Sequence, residues 1–135
     1  MVSLSKRGKG PDLLKAMQVE AAVLIFLAVG QAGLAAGMIT GNPELRPIHR
    51  INAYLIISVT IAILITAIVH FRRGGPRWPA AAAAVLVVAE ALQSTLGRMA
   101  VTGAHIFIGV VFVASVAVLT SYLFRPGVSR GSLRS

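Results

Sequence analysis

Four apolar stretches, each long enough to cross a lipid bilayer, dominate this sequence. They cover residues 16–40, 48–71, 78–100 and 104–124. A helix needs about 20 predominantly apolar residues to span the hydrocarbon core. The first stretch is longer than the apolar part of a secretory signal, so we expect it to be a retained helix. The sequence therefore predicts an all-α membrane protein, a four-transmembrane-helix bundle with basic tails at residues 1–15 and 125–135.

The breaks between the spans are unequal. Clusters of proline and glycine separate the first span from the second and the second from the third. Between the third and fourth spans the only break is the pair Thr102 and Gly103. Since two residues leave little room to reverse direction, we expect a very tight turn there.

The composition excludes a soluble or disordered chain. Hydrophobic residues make up 56% of the sequence and charged residues 13%, whereas soluble domains have about 25% charged residues. The chain contains no cysteine, which excludes disulfides, thiolate metal sites, iron–sulfur clusters and thioether-attached haem.

The basic residues predict the orientation in the membrane. The chain has thirteen lysines and arginines against four acids. Ten of the thirteen lie before the first span, between the second and third, or after the fourth: Lys6, Arg7, Lys9, Lys15, Arg72, Arg73, Arg77, Arg125, Arg130 and Arg134. By the positive-inside rule both termini and the central loop are expected to be cytoplasmic, in a multi-pass protein of the plasma membrane. We interpret this charge as a topology signal that attracts anionic lipid headgroups, with no nucleic-acid partner.

An internal repeat divides the chain into two helical hairpins. The segment from Gln31 to Gly41 matches the segment from Gln93 to Gly103 at a shift of 62 residues, with Gln, Leu, Thr and Gly at the same four offsets. Each segment is followed by a histidine at the start of the next span, His49 or His105. Both hairpins run in the same sense, so the repeat is of the parallel type, with its axis along the membrane normal.

Two histidines at the same depth on facing helices predict a haem site. Ionisable residues within a membrane usually mark function, and two opposed imidazoles fill both axial positions of one haem iron. The sequence thus predicts one haem b per chain, with His49 and His105 as its iron ligands. Other candidate contacts are arginines for the propionates (Arg50, Arg98), glutamines for the pocket wall (Gln31, Gln93) and glycines that leave room for the macrocycle (Gly33, Gly37, Gly97).

Each of these residues also has a plainer interpretation. A histidine at the mouth of a span can be interfacial, the two glycines of the first span can serve helix packing, and the arginines can extend to the headgroups. His70 is expected to be an interfacial cap, with a second haem or a quinone contact as the alternative. Glu90 is either a neutral acid bonded within the bundle or a proton-handling or quinone-binding group. Glu20 is expected to pair with Lys15.

The hairpin pattern resembles one four-helix half of the haem A synthase family. The segment from Gln31 to Gly41 followed by His49 and Arg50 is similar to the first hairpin of such a half. The segment from Gln93 to Gly103 followed by His105 is similar to the second. The resemblance covers residues 16–124 and implies haem-holding roles for the two histidines.

Two departures from that family limit what the resemblance implies. The haem-modifying half carries a glutamate three residues before its first ligand histidine, where this chain has Arg46. The extracytoplasmic cysteine pair of many members is also absent. The catalytic role is therefore not carried over.

Together these features predict a membrane-embedded b-type cytochrome rather than an enzyme. One haem near the extracytoplasmic side requires a membrane redox partner or a larger complex, a quinone being one such partner and a homo-oligomer another possible assembly. Two alternatives stay open: an accessory structural subunit with a relic or empty pocket, and a small transporter centred on Glu90.

Overall fold

The computed structural model describes residues 12–126, which form four long helices. They are α1 (Leu13–Ile39), α2 (Arg46–Arg72), α3 (Trp78–Arg98) and α4 (Thr102–Leu123), with a short 3-10 helix, Pro43–Leu45, before α2. Each is long and apolar enough to cross a membrane, and residues 12–126 contain no strand. The predicted all-α, four-helix class is confirmed. The basic tails fall outside the described residues except at 12–15 and 125–126.

Local sequence signals fix where the helices begin and end. The Asp12 side chain accepts a hydrogen bond from the backbone N–H of Lys15 at 3.2 Å, which caps the start of α1. Proline stands in the first turn of both α2 and α3, where its missing N–H has no partner to lose. Gly41 and Gly74 follow α1 and α2 with φ of 108° and 92°, a left-handed conformation that glycine adopts without steric cost.

The helices form a square bundle of two antiparallel hairpins. Helix α1 packs against α2 and α4, and α3 packs against the same two, so that α2 and α4 are diagonal partners. We call the end with the α1–α2 and α3–α4 loops the histidine end, and the end with the chain termini the terminal end. The core between the helices is apolar except for four buried polar side chains, Gln31, Thr60, Glu90 and Gln93.

The buried positions repeat between the two hairpins. All five buried residues of α3 lie 62 positions after a buried residue of α1, and all four of α4 lie 56 positions after one of α2. The pairs are Met17 and Pro79, Ala21 and Ala83, Leu24 and Leu86, Ala28 and Glu90, Gln31 and Gln93, then Ile56 and Phe112, Thr60 and Val116, Ile63 and Leu119, Ala67 and Leu123. Each hairpin therefore presents the same helix faces to the core.

The turn between α3 and α4 lies earlier than predicted. Residues 99–101 make it, with Ala100 at a φ of 57°, while Thr102 and Gly103 already belong to α4. The expectation that Thr102 and Gly103 form the break is wrong, because α3 ends at Arg98 and its reversal is complete before them. The six extra residues of the first hairpin are taken up by the 3-10 helix and the turn before it.

Hydrogen bonds at the terminal end tie the hairpins together. The Gln18 amide donates to the Leu123 carbonyl at 2.8 Å, joining α1 to α4. Glu20 accepts from the Thr66 hydroxyl at 3.0 Å, whereas Lys15 pairs with Asp12 at 3.7 Å. The predicted Glu20–Lys15 pair is therefore wrong, since each residue has another partner nearer its own level.

Candidate functional site

The two repeated histidines meet inside the bundle near the histidine end. His49 is the fourth residue of α2 and His105 the fourth of α4. Their ring centroids are 6.4 Å apart and their planes are inclined by 68°. Because α2 and α4 are diagonal partners, the pair crosses the centre of the bundle.

Backbone geometry holds the His105 ring. Its Nδ1 lies 2.9 Å from the backbone oxygen of Gln93. A carbonyl can only accept, so Nδ1 carries the proton and Nε2 keeps a free lone pair. A Cβ at Gly97 would lie 3.1 Å from the same Nδ1, so the absence of a side chain there lets the ring approach α3.

A side-chain relay holds the His49 ring instead. The Gln31 amide nitrogen lies 3.2 Å from His49 Nε2. Asn52 fixes that amide by donating to Gln31 Oε1 at 2.7 Å and to the Leu27 carbonyl at 2.9 Å. Nδ1 of His49 is buried without a hydrogen-bond partner. The sequence analysis missed Asn52, although its spacing of three residues from His49 places both on one helix face.

A half-enclosed cavity of about 500 Å³ adjoins the histidine pair. Small-molecule sites in proteins have volumes of about 300–1,000 Å³ with mostly apolar walls and a few polar groups. Its polar lining consists of Gln31, His49, Glu90, Gln93 and His105. The Gln93 Oε1 atom, like His49 Nδ1, is buried without a partner. Buried polar atoms of this kind are rare in folded proteins, and here both belong to residues of one cavity wall.

Glu90 belongs to this cavity. Its side chain is 2% exposed, and its Oε1 accepts from the Ser94 hydroxyl at 3.3 Å. No lysine or arginine is among the described residues that line the cavity. The sequence placed Glu90 one turn from Gln93, but did not join it to the histidine pair.

The predicted glycines do not form the cavity wall. Gly33 faces open space, Gly37 is approached by Leu45, and only Gly97 touches a histidine. Alanines provide the small wall of α1 instead: Ala28, Ala32, Ala35 and Ala36. The expectation for Gly33 and Gly37 fails for a geometric reason, because each follows a wall alanine by one residue and so points about 100° away around the helix.

The remaining predicted residues lie outside the cavity. Arg50 and Arg98 are exposed at the histidine end, and Arg98 donates to the Thr95 hydroxyl at 3.2 Å. His70 lies at the terminal end, where its ring occupies the space that a Cβ on Gly75 would need. Within residues 12–126, no three His, Cys, Asp or Glu side chains are grouped to hold a metal ion.

Comparison with known proteins adds no assignment. No protein-family model, curated protein or solved structure matches this chain.

Proposed function

We propose that this chain is a membrane cytochrome that binds one haem b between His49 and His105 and transfers electrons. The separation of the two rings carries the proposal. Two imidazoles bound to opposite faces of one iron, each nitrogen about 2.0 Å from the metal, have ring centres about 6.3 Å apart. The observed separation is 6.4 Å. An ordinary edge-to-face aromatic pair has a similar spacing, so a spectrum has to separate the two.

The hydrogen bonds of the histidines support this ligand set. Ligand histidines usually donate their second N–H to a carbonyl, as His105 does to Gln93. His49 supplies its Nε2 once the Gln31 amide turns away, or its partnerless Nδ1 if that amide stays. Both routes give the buried nitrogen of His49 a partner.

The other residues have supporting roles. Bound haem with two histidine ligands supplies one-electron chemistry, because no coordination position is left for oxygen. The apolar cavity wall excludes water, and Asn52 and Gln31 orient His49. Arg50 and Arg98, outside the wall at the same end, offer counter-charges for propionates.

The charge distribution supports an orientation with cytoplasmic termini. The described cations of the terminal end are Lys15, Arg72, Arg73, Arg77 and Arg125, against Arg46, Arg50 and Arg98 at the histidine end. In a plasma membrane this puts the histidine pair near the outer face. A haem there needs a second carrier to move electrons across the bilayer. That partner is a membrane redox protein or a quinone, in a larger complex or a homo-oligomer.

A reduced-minus-oxidised absorption spectrum of the purified chain, expressed with ample haem, tests the proposal. We expect a low-spin b-type spectrum that His49→Ala and His105→Ala each abolish or convert to high-spin. His70→Ala is the matched control and keeps the wild-type spectrum. A colourless wild-type protein, or a spectrum unchanged in both ligand variants, would contradict the proposal.

Glu90 supports a second candidate, a small proton-coupled transporter. Its carboxyl is buried in the cavity wall with no cation beside it, and such acids mark proton relays in membranes. This candidate predicts flux in proteoliposomes that Glu90→Gln abolishes and His49→Ala leaves intact. An accessory subunit with a relic pocket predicts neither a haem spectrum nor flux.

A further inference from the structure

The cavity opens sideways, into the part of the membrane occupied by lipid tails. Its lining residues on α2 and α3 are buried or half-buried. Every exposed lining residue is on α1 or α4. We call these the mouth residues: Ala32, Ala36, Ile39, Ile106, Val110 and Ala114. The opening therefore lies along the α1–α4 seam.

This seam is held together only at its far end. The hydrogen bonds that join α1 to α4 within residues 12–126 run from Gln18 to the Leu123 carbonyl and from Thr120 to the Ala21 carbonyl. Both are at the terminal end, about two turns or more below the mouth. The α1–α2 seam, by contrast, is bonded beside the cavity through Gln31 and Asn52.

The internal repeat provides a comparison for the mouth. The α2–α3 seam occupies the equivalent place in the other half of the bundle. The positions matching the mouth residues there are Ser94, Arg98, Val101, Arg50, Tyr54 and Ser58. Five of these six carry a polar group, whereas all six mouth residues are apolar. One seam has therefore kept an apolar lining where its counterpart has polar side chains.

We infer that the haem enters and leaves the cavity from the bilayer, through the α1–α4 seam between the mouth residues. The inference rests on the proposed function and adds its supply route. Haem is a flat, largely apolar molecule with two carboxylates at one edge, so it partitions into membranes. An apolar mouth without hydrogen bonds presents no desolvation cost to it. The polar groups of the opposite seam make that side the costlier entrance.

The absence of native cysteines makes the route testable with single-cysteine variants. Val110→Cys places a thiol at the mouth, and Tyr54→Cys places one at the equivalent point of the opposite seam. Glu44→Cys places one in the α1–α2 loop, at the aqueous surface of the histidine end. Each haem-free variant is reconstituted in vesicles and labelled with a bulky apolar maleimide. Haemin is then added to the vesicles, and growth of the low-spin spectrum is followed.

Labelling at Val110→Cys is expected to slow haem uptake by about tenfold or more, since entry then requires the label to move aside. Labelling at Tyr54→Cys or Glu44→Cys leaves the rate unchanged. Labelling Val110→Cys after loading leaves the spectrum intact, because the route and not the site is blocked.

Three results would overturn the inference. Uptake at the same rate in all labelled variants would exclude the seam as the route, and slowing only at Glu44→Cys would indicate entry from water. Loss of the spectrum on labelling the loaded Val110→Cys protein would show that the label disrupts the site. If the unlabelled proteins bind no haem, the proposed function itself fails and the route fails with it, an outcome that the unlabelled samples identify separately.

Discussion

The Nδ1 atom of His105 lies 2.9 Å from the backbone oxygen of Gln93, twelve residues earlier in the chain. Its repeat partner His49 is bonded to the side chain of Gln31, the residue that matches Gln93. Matching glutamines thus hold matching histidines by different groups. Substitutions at the two glutamines are therefore expected to have different effects.

Gln31→Leu should destabilise the protein, and Gln93→Leu should not. The first change leaves His49 and Asn52 without their shared partner, at a cost of about 1–2 kcal/mol. The second removes a side-chain oxygen that has no partner and keeps the backbone bond to His105. Unfolding by sodium dodecyl sulfate in mixed micelles measures both. Equal losses of stability would contradict the distinction.

Gly97→Ala should reduce haem content, whereas Gly33→Ala should leave it unchanged. A Cβ at position 97 would lie 3.1 Å from His105 Nδ1 and displace the ring, while nothing lies near the Cβ position of Gly33. Both changes gain helix propensity of up to about 1 kcal/mol, so the pair separates that gain from the local contact. The haem-to-protein ratio after purification is the measurement. Similar ratios in the two variants would show that the ring has room to shift.

Ala100→Gly should stabilise the α3–α4 turn. Ala100 has a φ of 57°, which costs a residue with a Cβ about 1 kcal/mol or more, and the gain is partly offset by the greater entropy of glycine when unfolded. We expect a net gain of about 0.5 kcal/mol. Gly41→Ala is the reverse control, with an expected loss of about 1 kcal/mol at a φ of 108°. A loss of stability in Ala100→Gly would contradict the assignment of this turn.

Glu90→Gln should change stability by no more than about 0.5 kcal/mol. The amide has the same size, still accepts from Ser94, and removes no ion pair, because no cation lines the cavity. Ala28 is the matching position in the first hairpin and is also buried in the wall. Ala28→Glu should therefore cost about 2 kcal/mol or more by adding a second buried acid. Thermal unfolding in detergent compares the two, and a large loss in Glu90→Gln would reveal a charged partner.

The fold follows from the sequence more directly than the site does. Spans of about 20 apolar residues have few stable arrangements in a membrane, so the four helices were predictable from length and hydropathy. The repeat also predicted that Gln31, His49, Gln93 and His105 are related by symmetry. The turn at Ala100 was not predictable, because alanine gives no signal for a left-handed residue.

The cavity wall depended on helix rotation, which the sequence leaves undetermined. Gly33 and Ala32 are neighbours in the chain, yet only Ala32 lines the cavity. An apolar span has no polar face to show which side points inward, and helices α1 and α4 are apolar nearly all round. The convergence of Glu90 with the histidines required this rotation to be known.

The short 3-10 helix Pro43–Leu45 absorbs the six additional residues of the first hairpin, and His49 keeps the same place in its helix as His105. Length variation in this loop is thereby uncoupled from the interior. The surface that meets other molecules at the histidine end can be lengthened, shortened or replaced while the ring separation inside is preserved. An epitope inserted at Asn42 would for the same reason be a practical handle for purification or imaging.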